Sequence, residues 1–366
     1  MSKPVILHLG DPIKYNPALY STFSSHFTIV RPSLSELRRD EFKTALRENR
    51  FGSFHALFRP FWNTGGEMGR WDKELIDLLP KSVKIFASAG AGFDWVDTQY
   101  LAEKGTSPVP YPVLCSFVRR RGDVLEYLIL TKIGILYCNG RRASSESVAD
   151  MALFLILASF RNLAWSHSAA VSQNPRAFLD AHQNSPLTAR NPRGHSLGII
   201  GMGQIGFMIA KKVYAAFGMQ ILYHDIVRKS QDIERSVNAT FFESLDDMLA
   251  ESDCVIVATP FAGKTLLTAE LFDKFKRGSR FVNIARGSLV DEGALVGALE
   301  SGILMGVGMD VHADEPNVHP RLASHPKVMM MSHNAGGTVD THIGFERLAM
   351  ENILAFFKEG RAMTPV

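Results

Sequence analysis

The sequence predicts an α/β protein made of two doubly wound parallel-sheet domains. Three observations carry that expectation. Short runs rich in Val, Ile and Phe alternate with helical segments, the rhythm of parallel strands joined by crossover helices. That rhythm restarts near Gly198, where a glycine-rich turn follows an apolar run. A chain of 366 residues is also long for one hydrophobic core, which favours two.

The first series of expected strands reads VILHL from Val5, FTIV from Phe27, FHALF from Phe54, VKIF from Val83 and ILYC from Ile135. Helix-like stretches such as SELRRDEFKTALRENR, Ser35 to Arg50, lie between them. The second series reads LGII from Leu197, QILYH from Gln220, CVIVA from Cys254, RFVNIA from Arg280 and MGVGMDV from Met305. Thr338 to Gly360 has the pattern of a long amphipathic helix, expected to return to the first domain. The expected division is therefore 1–139 with 333–366 for one domain and 140–332 for the other.

One stretch breaks the rhythm. Between LAEKG and ILYC lie 29 residues, Thr106 to Gly134, with a Pro-rich start and no clean period. A structureless insert of this length inside a compact domain argues against its belonging to the fold. Excising it joins helix, turn and strand directly. The codons allowed at Gly105-Thr106-Ser107, Leu130-Thr131 and Ile133-Gly134 accommodate donor, branch-point and acceptor signals in one frame. The segment is therefore read as a retained intron. The alternative is a genuine surface loop carrying the run Arg119-Arg120-Arg121.

Bulk composition excludes several function classes. A formal charge of +3 with scattered basic residues gives no nucleic-acid footprint. Three cysteines, Cys115, Cys138 and Cys254, show no paired spacing, which fits free thiols in a reducing compartment and no disulfide framework or thiolate metal site. Met1 to Gly10 is too short and too early broken for a signal peptide. Val148 to Phe160 reads as a buried helix, because it is short for a membrane span and carries Asp150. The expected compartment is the cytosol.

The chemistry begins at Gly201-Met202-Gly203-Gln204-Ile205-Gly206, set between a strand-like and a helix-like run. Gly201 allows a tight turn, Gly203 lets backbone approach a pyrophosphate, and Gly206 lets helix and strand pack closely. Such a turn alone is weak and could be purely structural. Here an acid, Asp225, ends the next strand, where it would accept hydrogen bonds from a ribose diol. Its charge favours NAD over NADP, while Arg228 and Lys229 keep NADP open.

A second group follows apolar runs further on: Arg286 in NIARG, Glu315 in DVHADEP and His333 in SHNAGG. Singly, these are an ordinary surface arginine, a loop-closing Glu-Pro and an unremarked histidine. Together at successive strand ends they suit one reaction. An arginine fork clamps a carboxylate and polarises its neighbouring carbonyl. A histidine gives a proton to a developing alkoxide, and a carboxylate orients it and favours its charged form.

With GMGQIG, NIARGSLVDEGAL, DVHADEP and HNAGG in view, the chain resembles the D-isomer-specific 2-hydroxyacid dehydrogenases. KIFASAGAGFDWVD, NPRGHSLGIIGMGQIG and the FERL segment resemble the fungal D-mandelate dehydrogenase branch. The resemblance implies a flavodoxin-like substrate domain, a Rossmann domain and a cleft between them. It implies Arg286, Glu315 and His333 as the catalytic trio, and Ala91-Gly92 amides as donors to the substrate carboxylate. Gly201, Gly203, Gln204, Ile205, Gly206 and Asp225 would hold the dinucleotide, with Thr259, Pro260, Ala285, Asp310 and Gly336 around it. No metal is implied. Ser332 departs from the Pro or Thr that usually precedes the histidine.

Glu315, where formate dehydrogenases of this fold carry glutamine, argues against formate. Phe61 and Trp62 follow the third strand, where the resemblance places the substrate. They either pack between helices or line the pocket, and in the second case they suggest aryl or branched 2-oxo acids, with glyoxylate or hydroxypyruvate reduction as the alternative. A nicotinamide-sensing corepressor is the rival of another class. The apolar helix Ser145 to Phe160 leads to the expectation of a homodimer.

Overall fold

A computed structural model describes residues 2–104 and 134–366. The suspected insert, 106–134, lies outside the described residues apart from Gly134. The chain forms two compact units, residues 1–144 with 338–366 and residues 145–337.

The first unit holds five parallel strands: β1 (Val5–His8), β2 (Thr28–Val30), β3 (Ala56–Arg59), β4 (Ile85–Ser88) and β5 (Leu136–Cys138). Their order is β2-β1-β3-β4-β5, the flavodoxin-like order. The central strands β3 and β4 are buried throughout, because helices cover both faces of the sheet. One face packs Leu7, Leu57 and Phe86 with Phe42, Trp71 and Leu75. The other packs Ile6, Phe58 and Ile85 with Ala349, Met350 and Ile353 of the helix Val339–Glu359. That helix also buries Glu346, whose carboxylate accepts the Lys14 and Asn16 backbone amides at 2.7 and 2.8 Å and the Asn16 side-chain amide at 3.0 Å.

The flanks of the suspected insert are regular. The helix Thr98–Glu103 precedes it and β5 follows it. Ile135 N–H donates to Leu101 O at 2.8 Å and Gly134 N–H to Ala102 O at 3.0 Å, so the chain departs and returns at one place.

The second unit holds seven parallel strands: β6 (Ser196–Ile200), β7 (Gln220–His224), β8 (Ala239–Phe241), β9 (Cys254–Val257), β10 (Ser279–Asn283), β11 (Leu304–Met309) and β12 (Val328–Met330). The order β12-β11-β10-β9-β6-β7-β8 is the dinucleotide-binding arrangement, extended by one strand. Between β6 and β9 the strand order reverses, so a crevice opens at their carboxyl ends.

Three expectations need correction. The units divide five residues later than 139/140 and 332/333, and His333 therefore belongs to the second unit. The reason is local: its amide donates to Asp310 O at 2.7 Å, and the following two amides reach the Asp310 side chain. The helix around Val148–Phe160 is longer than expected, Arg141–Arg161. Its length and hydropathy would suffice to cross a membrane, but 61% of its apolar stretch is buried in the protein. Leu155 packs there against Gly308 of β11, and Ala149, Ala152 and Ile156 join the apolar core of the second unit. Third, the helix expected from Ser35 starts only at Arg39. Ser33 and Glu36 bond to each other through Ser33 N and Oγ, which makes a turn instead. Cys138 and Cys254 are buried, and burial pushes the Cys254 thiol up to about 12.

Candidate active site

Every cofactor residue expected in the second unit lies at the carboxyl edge of its sheet. Gly201 follows β6 with φ +97°, and a methyl there would meet Ala258 O and Thr259 at 3.0 Å. Gly203 faces open space, and Gly206 would place a methyl 2.1 Å from Gly201 O. The helix Gln204–Phe217 begins at Gly203 with no side chain capping it. Its first amides, on Gln204 and Ile205, are therefore presented to an anion, which fits a pyrophosphate.

Asp225 follows β7 beside this loop. Lys229 Nζ lies 3.0 Å from its Oδ2, and the two side chains are 23% and 14% exposed. Arg228 is engaged elsewhere, donating twice to Glu234 at 2.9 and 3.0 Å. Thr259 and Pro260 follow β9, and Ala285 follows β10. Gly336 sits in the turn before Gly337.

The expected trio is built by the next three strands. Arg286 follows β10, in a turn fixed by Asn283: its Oδ1 accepts Ala285 N–H at 3.0 Å and its Nδ2 donates to Arg286 O at 2.9 Å. Glu315 lies in the loop after β11 and His333 after β12. His333 Nδ1 and Glu315 Oε2 are 2.6 Å apart, both side chains about a third exposed. Burial disfavours the Glu315 charge, but hydrogen bonds from His333 and from the His312 amide (2.9 Å) overcome it and hold the carboxyl below its ordinary range. A cavity of about 790 Å³ opens beside the pair, walled also by His312, Val318 and Met330.

His333 has φ +53°, a left-handed backbone conformation uncommon for histidine. Asp310 holds it there. Its carboxylate accepts Asn334 N–H at 3.0 Å and Ala335 N–H at 3.0–3.1 Å, and its burial raises the carboxyl above the usual value. Asp310 thus braces the histidine turn, beyond the cofactor-lining role expected of it.

Four further residues were not singled out from sequence. Gly287 presses on the His312–Ala313 peptide, where even a methyl would lie 1.9 Å from the His312 carbonyl carbon. Glu292 accepts Ala313 N–H at 3.0 Å, and the His312 ring contacts Met331 O through Nε2 at 2.8 Å. Asn283 completes the set. The Arg286 turn, the Glu315 loop and the His333 turn are thereby one bonded assembly. Asn283, Gly287 and Glu292 all fall inside the NIARGSLVDEGAL run, so the signal was present, but only their tertiary partners reveal their work.

In the first unit, Ala91 and Gly92 follow β4. Gly140 N–H donates to Gly90 O at 2.7 Å and Asn139 Nδ2 to Ala91 O at 2.9 Å, fixing the turn. The Ala91 and Gly92 amides donate to no acceptor among the described residues, so they remain available to an anion. Phe61 is buried against Tyr15 and His342, a packing role, whereas Trp62 is 36% exposed. No cluster of His, Cys, Asp and Glu able to hold a metal occurs among the described residues.

Residues 153–335 match the family model described as the NAD binding domain of D-isomer specific 2-hydroxyacid dehydrogenase. The chain is 32% identical to 4-methyl-2-oxopentanoate reductase A of Aspergillus oryzae, over 90% of this chain and 88% of that one. It superposes on the apo D-mandelate dehydrogenase of Rhodotorula graminis with TM-score 0.87 at 36% identity, covering 100% and 98% of the two chains. A glyoxylate reductase from Paecilomyces thermophila gives TM-score 0.82 at 29% identity, covering 100% and 99%. The glycine loop, the acid after β7 and the bonded Arg–Glu–His assembly therefore have one explanation, and the chain belongs to the D-isomer specific 2-hydroxyacid dehydrogenases, NAD-binding oxidoreductases acting on the CH–OH group of 2-hydroxy acids.

Proposed function

We propose that the protein reduces an aryl or branched 2-oxo acid to its D-2-hydroxy acid, with NADH as hydride source. The single observation that carries the reaction is the 2.6 Å contact of His333 Nδ1 with Glu315 Oε2, inside an assembly that also fixes the Arg286 turn. The carboxylate accepts from Nδ1–H, which leaves Nε2 to exchange the reacting proton. In the second unit Arg286 clamps a carboxylate and polarises the 2-oxo group; in the first unit the Ala91 and Gly92 amides offer donors to a carboxylate. NADH, when bound on the Gly201–Gly206 loop, supplies hydride to the carbonyl carbon. As negative charge grows on the carbonyl oxygen, His333 donates its proton there and Arg286 stabilises the charge that remains.

The preference for a bulky substrate rests on the exposed Trp62 ring and on relatives named for mandelate and for 4-methyl-2-oxopentanoate. Glyoxylate reductases among the relatives make glyoxylate the alternative. NADH oxidation is followed with benzoylformate, 4-methyl-2-oxopentanoate, hydroxypyruvate and glyoxylate. Wild type is expected to favour the first two by kcat/KM, and Trp62→Ala to lose that preference. A preference for glyoxylate that Trp62→Ala leaves unchanged refutes the bulky-substrate reading. Turnover of none of the four refutes the enzyme reading in favour of a nicotinamide-sensing protein.

A further inference from the structure

Arg59 is a buried cation that Glu67 favours only from a distance, with no ion pair between them. It ends β3 and is 8% exposed. No carboxylate lies within 4 Å of it among the described residues. One terminal nitrogen donates to Trp62 O, the other lies 3.4 Å from Ser88 Oγ, and Nε has no partner. The guanidinium lies over the Trp95 ring, 4.8 Å from its centroid, and Gly66 approaches it so closely that a methyl there would sit 2.9 Å from a terminal nitrogen. Burial lowers its proton affinity, yet an arginine stays charged in a protein. Buried charges are ordinarily paired, because an uncompensated one is costly.

Its position suggests what compensates it. Arg59 pairs in register with Ser88, the last residue of β4, and its carbonyl accepts Ala89 N–H at 2.7 Å. Ala89 opens the turn that carries the two unengaged amides of Ala91 and Gly92. A positive charge is thus carried, within one unit, on the strand that hydrogen-bonds to the turn bearing those amides, and its guanidinium touches Ser88 at the start of that turn. Trp62, on the same loop as Arg59, is tied to the guanidinium through its carbonyl.

We propose that Arg59 is a positioning residue for the substrate carboxylate, supplying the charge that makes the Ala89–Gly92 turn select anionic 2-oxo acids over neutral carbonyl compounds. The proposal rests on the reading that the Ala91 and Gly92 amides hold that carboxylate. It predicts a charge discrimination separable from any role of Arg59 in shaping the loop.

The test compares benzoylformate with methyl benzoylformate, which keeps the aryl ketone but loses the charge. Arg59→Met is expected to lower the acid-to-ester ratio of kcat/KM about tenfold or more, through KM for the acid, with the ester little changed. Arg59→Lys keeps the charge and most of the ratio. Should Arg59→Met fail to fold, Ser88→Asp gives Arg59 a neutralising partner and is expected to lower the ratio, whereas the neutral Ser88→Asn does not. Acid and ester activities that fall together, leaving the ratio unchanged, overturn the proposal. Binding of both compounds, read by tryptophan fluorescence, separates the two readings. A chain that binds the acid selectively through Arg59 without reducing it supports the proposal and refutes the catalytic reading. A chain that neither binds nor reduces it overturns both.

Discussion

Gly287→Ala tests whether the Arg286 turn and the Glu315 loop act as one body. A methyl at this position would lie 1.9 Å from the His312 carbonyl carbon, 2.1 Å from its oxygen and 2.4 Å from Ala313 N. Ordinary contact begins near 3.4 Å, so the His312–Ala313 peptide must retreat by roughly 1.5 Å. All three obstacles are backbone, so no side-chain rotation relieves them. Overpacking of this kind costs about 1–3 kcal/mol of stability. The same retreat drags the His312 amide that holds Glu315 and displaces the carboxylate facing His333. A misplacement of about 1 Å at a reacting centre costs on the order of a hundredfold in rate, or about 2.7 kcal/mol of transition-state stabilisation. Thermal melting and steady-state kcat/KM with NADH read the two effects separately. Gly297→Ala is the control: it lies exposed in the helix Glu292–Glu300 with no atom within 4 Å. It should gain about 0.5–1 kcal/mol and leave kcat/KM alone. A Gly287→Ala protein with wild-type melting and wild-type turnover would show that the assembly described here does not exist.

Glu315→Gln removes the anion that faces protonated His333 at 2.6 Å. Reduction needs that proton, so the high-pH limb of its rate profile should move to lower pH; an unmoved limb counts against Glu315 as partner. For the cofactor, Lys229 is already held by Asp225 and Arg228 by Glu234. Wild type should therefore prefer NADH, and Asp225→Ser, which frees Lys229, should raise the NADPH-to-NADH ratio of kcat/KM about tenfold; a wild type preferring NADPH would overturn this. The second unit exposes Phe154, Phe178, Leu179 and Leu187. We propose that this face pairs two chains, so light scattering at micromolar concentration should give twice the chain mass, and a monomer would refute it. Deleting residues 106–134 should give a folded enzyme with unchanged kcat/KM, because Leu101 and Ile135 already meet; loss of folding, or a tryptic peptide Gly122–Lys132 from the native protein, would refute the retained-intron reading.

Ten of the twelve strands were legible because each is an apolar run between helices. The two that escaped, β8 and β12, are three-residue edge strands with only one buried position between them. β8 buries none of its residues and so carries no apolar run, while the apolar run Val328–Met331 that holds β12 is too short for periodicity to tell strand from helix. The site shows the same division. Arg286, Glu315 and His333 could be found because strand ends are where such folds place chemistry. The bracing by Asp310, His312, Asn283 and Glu292 was not legible, since it runs between segments with no periodicity relating them. The boundary near His333 was misplaced for that reason as well: the bonds to Asp310 that decide it connect residues more than twenty positions apart.

The burial of Glu346 and of its helix has a consequence for biosynthesis. The helix Val339–Glu359 forms one of the layers over the first sheet, and its carboxylate saturates amides at residues 14–16. The first unit therefore needs segments from both sides of the second, and its strands must wait on the ribosome for the helix Val339–Glu359. The second unit is encoded in one uninterrupted stretch, 145–337, and has all its strands before that helix is synthesised. Domains emerging from the ribosome usually fold from the amino terminus onward. Here the order is reversed: the dinucleotide-binding unit closes first, and the other closes only once the helix Val339–Glu359 has been made.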